Sequence, residues 1–88
     1  MSYTIYGFEG CGYFNAALAI LKTILNNKVQ IVMVPKQKWQ STLRSVHKNH
    51  KLTKTNKDKV DKHFTSPLIL HGNTYIGGYD NLRLFLKL

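Results

Sequence analysis

The chain has 88 residues, of which 43% are hydrophobic, and its formal net charge is +9 at pH 7. That length predicts one domain over residues 1–88 with a single core, and it excludes a second lobe. No apolar stretch approaches the roughly 18 residues needed to span a bilayer, and no signal-peptide pattern follows Met1, so we expect a soluble, cytoplasmic protein.

The first third of the chain predicts a strand, a helix and a second strand. "YTIYGF" (3–8) is short and rich in aromatic and β-branched residues, and "KVQIVMV" (28–34) is similar. Between them, an apolar stripe with helical spacing stops at Asn26-Asn27. The residues of this stripe are Phe14, Ala17, Leu18, Leu21, Ile24 and Leu25. A strand–helix–strand unit of this length predicts two parallel strands with a right-handed crossover.

The middle of the chain is less regular. One helix face is predicted from Trp39, Leu43, Val46 and His50. The next segment, "KNHKLTKTNKDK" (48–59), is polar and lysine-rich, and both a loop and a solvated helical extension stay open for it. "VDKHF" (60–64) is compatible with another helical turn.

The end of the chain predicts a hairpin and a last helix. Strands at 67–71 and 74–76 flank a Gly72-Asn73 turn, which predicts an antiparallel pair. Asp80 is the expected cap of a helix whose inward residues are Leu82, Phe85 and Leu86. The whole order, β-α-β-α-β-β-α, predicts an α/β fold with a four-stranded mixed sheet and helices on both faces.

Cys11 is the only cysteine, so it cannot form a disulfide within the chain. The four histidines are scattered and give no zinc-ligand pattern with it, so no metal site is predicted. Cys11 lies between the predicted first strand and the predicted first helix. Unpaired N–H groups and the helix dipole stabilise a thiolate at such a position. An inert, buried cysteine fits that position equally well.

Three short motifs favour the reactive interpretation. "CGYF" (11–14) opens a helix, "TSP" (65–67) precedes the third strand, and "GGYDN" (77–81) follows the hairpin. In this order and spacing the chain resembles the glutaredoxin family of the thioredoxin fold, in which the motifs are a CPYC or CGFS site, a TVP-type turn with a cis proline, and a GG-x-D-D-type turn. The resemblance covers the whole chain.

The resemblance implies glutathione as co-substrate and Cys11 as the nucleophile that becomes glutathionylated. Pro67 would be cis, so that the Ser66 backbone pairs with glutathione like an added strand. The implied glutathione-binding residues are Tyr13, Thr65, Ser66, Pro67, Gly78, Tyr79, Asp80 and Asn81. Three of them also have a simpler structural interpretation: Tyr13 as packing, Pro67 as a trans strand-initiating residue, and Asp80 as a helix cap.

Three departures from the family pattern are informative. Phe14 replaces the second cysteine, so the mechanism must be monothiol and ordinary protein disulfides would be poor substrates. Phe8 and Glu9 stand where the family usually has a lysine shortly before the nucleophile, which leaves thiolate stabilisation to the helix terminus and to a lysine folded in from the basic stretch, and predicts low activity. Asn81 replaces a common carboxylate, which predicts weaker glutathione binding.

Two alternative functions stay open. CGFS-type relatives hold an iron–sulfur cluster between two chains, but Phe14 is expected to crowd that site, so we rank it below thiol transfer. Residues 36–62 carry nine of the thirteen basic side chains against Asp58 and Asp61. This stretch predicts either a solvated face that draws acidic glutathione toward the groove, or a nucleic-acid-binding or acidic-partner-binding module that has lost its chemistry. The favoured prediction is a monomer that acts on glutathionylated proteins or small disulfides, without membrane contact.

Overall fold

The computed structural model describes residues 2–25 and 29–88. The strands are β1 (Tyr3–Phe8), β2 (Val29–Val34), β3 (Leu68–His71) and β4 (Thr74–Gly77). The α-helices are α1 (Gly12–Leu25), α2 (Trp39–Ser45), α3 (Lys54–Lys62) and α4 (Tyr79–Leu86). Short 3-10 turns, Lys36–Lys38 and Val46–Lys48, flank α2. None of the described helices combines the length and the hydropathy that a membrane crossing requires.

The four strands form one mixed sheet in the order β2-β1-β3-β4. β1 runs parallel to β2 and antiparallel to β3, with Ile5 opposite both Ile31 and Ile69. β3 and β4 form the antiparallel hairpin. The predicted α/β fold with a four-stranded mixed sheet is therefore confirmed.

The described chain has one more helix than the predicted order. The lysine-rich segment, which fits a loop or a helix by sequence, is irregular from Asn49 to Thr53. The Thr53 hydroxyl accepts a hydrogen bond from the Asn56 N–H at 3.3 Å and so caps α3. Val60 anchors this helix in the core. His63 and Phe64 lie beyond its last residue, so the helical turn considered for 60–64 ends at Lys62.

Helices cover both faces of the sheet because successive residues of β1 point in opposite directions. One face packs against α1 and α4; its buried residues are Tyr3, Ile5, Phe14, Ala17, Leu21, Ile69, Ile76 and Leu82. The other packs against α2, α3 and the turn after α2; its buried residues are Tyr6, Trp39, Leu43, Val46, Val60, Leu68 and Leu70. Each fully buried large apolar side chain contributes about 1.5–3 kcal/mol.

Two residues predicted to face inward do not. Ile24 is 47% exposed because the buried contact of α1 with the sheet ends near Leu21, and Phe85 is 49% exposed. The Phe85 ring packs edge-on against Tyr3 at the end of the sheet, with ring centroids 6.4 Å apart. The predicted helix stop at Asn26-Asn27, the predicted strand start at Lys28, and the Leu25 side chain lie outside what the structure describes.

Candidate functional site

Cys11 lies at the N-cap of α1 and is partly exposed. Its Sγ accepts a hydrogen bond from the Phe14 N–H at 3.4 Å, and its carbonyl accepts one from the Asn15 N–H at 3.2 Å. The sulfur thus satisfies one of the first N–H groups of the helix, at the positive end of the helix dipole. This environment stabilises negative charge on sulfur.

Ser66 faces Cys11 from the segment before β3. The thiol donates to the Ser66 carbonyl, 3.6 Å from Sγ, and the Phe8 N–H donates to Ser66 Oγ at 3.3 Å. The Ser66–Pro67 peptide bond is cis, as the resemblance implied. The sulfur therefore lies between a backbone carbonyl that accepts from it and a backbone N–H that donates to it.

The 77–81 segment completes a three-way junction. Gly78 lies against Pro67, since a Cβ on Gly78 would stand 3.6 Å from the Pro67 carbonyl oxygen. The rings of Tyr13 and Tyr79 have centroids 5.9 Å apart, and Tyr13 is 65% exposed. Each of the three motif segments therefore contacts the other two.

The start of α4 differs from the prediction. Gly78 is the N-cap, and the Asn81 side-chain oxygen accepts a hydrogen bond from the Gly78 N–H at 3.2 Å. Asp80 is the second helical residue and its side chain is exposed, so the prediction that Asp80 caps the helix is wrong. The N–H groups of the first three helical residues have no acceptor within the helix, which leaves donors there for an anion.

Gly77 is required beside this cap. Its φ is +123°, and a Cβ there would lie 2.6 Å from Asn81 Oδ1. The Asn81 oxygen already accepts from the Gly78 N–H, so any ligand that donates to Asn81 would have to share that oxygen.

Thr65 has an exposed side chain, and its carbonyl oxygen lies 2.7 Å from His63 Nε2. His63 Nδ1 lies 2.7 Å from the Tyr75 hydroxyl in β4. Sequence reasoning missed His63 because residues 60–64 fit a single helical turn. The available signal was a histidine two residues before the TSP motif, just after the lysine-rich segment.

Phe14 is the last residue of the CGYF motif, and its side chain points into the core. It is 1% exposed, and its ring packs directly on Gly7 of β1, where a Cβ would overlap the ring. The expectation that Phe14 crowds a surface site beside Cys11 is therefore wrong. Cys11 is the only thiol at the site because the chain has one cysteine.

One lysine of the basic stretch, Lys36, lies against Phe8 at the end of β1. Lys36 Nζ lies 5.6 Å from the centroid of the Phe8 ring. Phe8 in turn contacts both sides of the junction, because its carbonyl accepts from the Cys11 N–H at 3.3 Å and its N–H donates to Ser66. Lys36 thus places a positive charge beside Phe8, three residues before Cys11 in the chain.

Stability should fall as the pH drops below about 6.5, and His63 should contribute to this loss. Burial lowers the pKa of His63 below its ordinary value of 6.5, and hydrogen bonding to the Thr65 and Pro67 carbonyls only partly opposes it. The unfolded chain then binds more protons than the folded one in this window, so the free energy of unfolding rises with pH. Burial also lowers the pKa of His50, so His50 likewise makes the free energy of unfolding rise with pH.

Urea denaturation between about pH 5 and 7.5 measures this effect. His63→Gln should give a shallower pH dependence than the wild type, whereas His47→Gln, at an exposed position, should keep the wild-type slope. Equal slopes for wild type and His63→Gln would contradict the assignment to His63.

Comparison with other proteins supplies no family assignment: no protein-family model matches the chain, and no curated protein matches it. A functional interpretation therefore depends on the geometry of the site and on the three motifs.

Proposed function

We propose that the protein has a thioredoxin-like architecture of the glutaredoxin type and acts as a monothiol, glutathione-dependent thiol–disulfide oxidoreductase. Its substrates in this proposal are mixed disulfides between glutathione and a protein or small thiol. The observation that carries the proposal is the three-way junction, in which a partly exposed Cys11 at a helix N-cap contacts Ser66, and Gly78 lies behind Pro67.

The chemistry is two thiol–disulfide exchanges. The Cys11 thiolate attacks the glutathionyl sulfur of the mixed disulfide, forms a Cys11–glutathione disulfide, and releases the substrate as a thiolate that takes a proton. A second glutathione thiolate then attacks the glutathionyl sulfur of this adduct. Oxidised glutathione leaves and the Cys11 thiolate is restored. Overall, one glutathione is consumed for each mixed disulfide reduced, and the second glutathionyl group of the product comes from the substrate.

The surroundings of Cys11 support a role in both steps. The Phe14 N–H stabilises the sulfur as attacking and as leaving thiolate, because it donates to the charged form. The free N–H groups at the start of α4 suit the γ-glutamyl carboxylate, and the exposed Tyr13 ring offers an apolar flank. The Ser66 backbone, beside the sulfur, suits pairing with an extended peptide such as glutathione.

An iron–sulfur cluster is the weaker alternative. The buried Phe14 ring is no obstacle to it, but one chain offers only the Cys11 thiolate. Within residues 2–25 and 29–88, no group of three or more His, Cys, Asp or Glu side chains could hold a metal ion. The residues of one chain therefore do not fit a cluster, and external thiols would have to supply the other ligands. Visible absorbance after anaerobic reconstitution with iron, sulfide and glutathione tests this alternative.

The proposed function is tested by incubation with oxidised glutathione and by turnover of the mixed disulfide between glutathione and hydroxyethanethiol. We expect an intact-mass increase of one glutathione, and turnover that depends on reduced glutathione. Protein alkylated with iodoacetamide is the control, because Cys11 is its only thiol. Native protein that shows neither adduct nor turnover contradicts the proposal.

A further inference from the structure

The backbone carbonyls from Phe64 to Pro67 are held by side chains from separate parts of the fold. Trp39 Nε1 donates to the Phe64 carbonyl at 3.1 Å. The Cys11 thiol donates to the next-but-one carbonyl, that of Ser66, at 3.6 Å. The carbonyls on either side of Ser66, those of Thr65 and Pro67, both lie within hydrogen-bond distance of His63 Nε2, at 2.7 and 3.1 Å.

The geometry fixes the tautomer of neutral His63. Carbonyl oxygens only accept, so Nε2 carries the proton and donates to both of them. Nδ1 then accepts from the Tyr75 hydroxyl, 2.7 Å away. The ring therefore ties the segment before β3 to β4 through its two nitrogens.

His63 also lies near the third segment of the junction. A Cβ on Gly78 would stand 4.0 Å from His63 Cε1 and 3.6 Å from the Pro67 carbonyl oxygen. The ring thus lies behind the backbone of both segments to which we assign glutathione binding. Cys11 is held from two sides, since its sulfur accepts from the Phe14 N–H in the first turn of α1 and donates to the Ser66 carbonyl.

From this arrangement we infer that His63 is a positioning residue for substrate binding. It holds the Thr65–Pro67 backbone in the position in which Ser66 contacts Cys11 and can pair with the backbone of a bound glutathione. The inference rests on the proposed function. In this inference His63 aligns residues 65–67 for glutathione binding. The Phe14 N–H of α1 stabilises the sulfur as a nucleophile.

His63→Leu removes both hydrogen bonds to the carbonyls while keeping an apolar side chain. We expect the KM for the glutathione mixed disulfide to rise about fivefold to tenfold, as the loss of one or two hydrogen bonds would give, with kcat within about twofold of wild type. The rate of Cys11 alkylation by iodoacetamide should stay within about twofold. His63→Gln, whose amide can still donate, should recover most of the KM, and the exposed His47→Leu should match wild type.

Backbone amide resonances provide a readout that does not need turnover. In His63→Leu, but not in His47→Leu, the resonances of Thr65, Ser66, Leu68 and Gly78 should shift. A wild-type KM in folded His63→Leu, a fall in kcat alone, or unmoved resonances would overturn the inference. Absence of turnover in the wild type would instead reject the proposed function, and the amide resonances would then decide whether His63 holds this segment.

Discussion

Cys11→Ser is expected to reduce turnover of the glutathione mixed disulfide to the rate without protein, and to abolish the glutathione adduct. Serine removes the only sulfur nucleophile of the chain, and its hydroxyl is not ionised near neutral pH. It is nevertheless a good N-cap residue, so its oxygen can replace Sγ as the acceptor of the Phe14 N–H. The fold should therefore survive while the chemistry is lost.

Cys11→Ala is the matched variant, because it removes both the nucleophile and the cap. We expect it to be as inactive as Cys11→Ser but less stable by about 0.5–2 kcal/mol. Turnover is measured with purified protein at saturating glutathione, and stability by urea denaturation. Turnover retained in Cys11→Ser would show that the reaction does not pass through this thiol.

Gly7→Ala should destabilise the fold by about 1–3 kcal/mol, the usual cost of overpacking a core. The new methyl group would overlap the Phe14 ring, which is buried against the sheet and cannot turn toward solvent without exposing its surface. Gly12→Ala is the control in α1: a Cβ on Gly12 would meet no other atom within 4 Å, so alanine there should be neutral or slightly stabilising.

A double-mutant cycle tests whether Phe14 causes this effect. Because Phe14→Leu removes part of the ring, Gly7→Ala should cost less in that background than in wild type, with a coupling of about 0.5–3 kcal/mol between the two changes. Chemical denaturation of the four proteins measures it. Strict additivity would place the strain elsewhere than at the Gly7–Phe14 contact.

Much of the sheet could be predicted from local sequence patterns. β1 and the hairpin were recognisable because β-branched and aromatic runs end at glycine or at a Gly-Asn turn. α1 was recognisable from its apolar stripe. α3 was not, because it buries a single apolar residue, Val60, and carries mostly polar side chains; its one local signal is the Thr53 cap.

The site was predictable only in part. The resemblance named three segments, and these prove to be in mutual contact. The role of His63 depends on Tyr75, 12 residues away in a different element of the fold, and no local pattern reveals such a contact. The cap of α4 was misplaced because Gly78 and Asp80 are both acceptable N-cap residues, and the choice is decided by the reach of Asn81 back to Gly78.

The contact between Gly7 and Phe14 also limits how this protein can change over evolutionary time. Cysteine at position 14 would leave a cavity beneath α1 at a cost of several kcal/mol, a large share of the roughly 5–15 kcal/mol that stabilises a typical domain. A larger residue at position 7 would fill such a cavity. If that substitution came before the change at position 14, however, its side chain would overlap the Phe14 ring. Both single steps toward a second cysteine at position 14 are thus penalised, so the core itself opposes the appearance of a cysteine there.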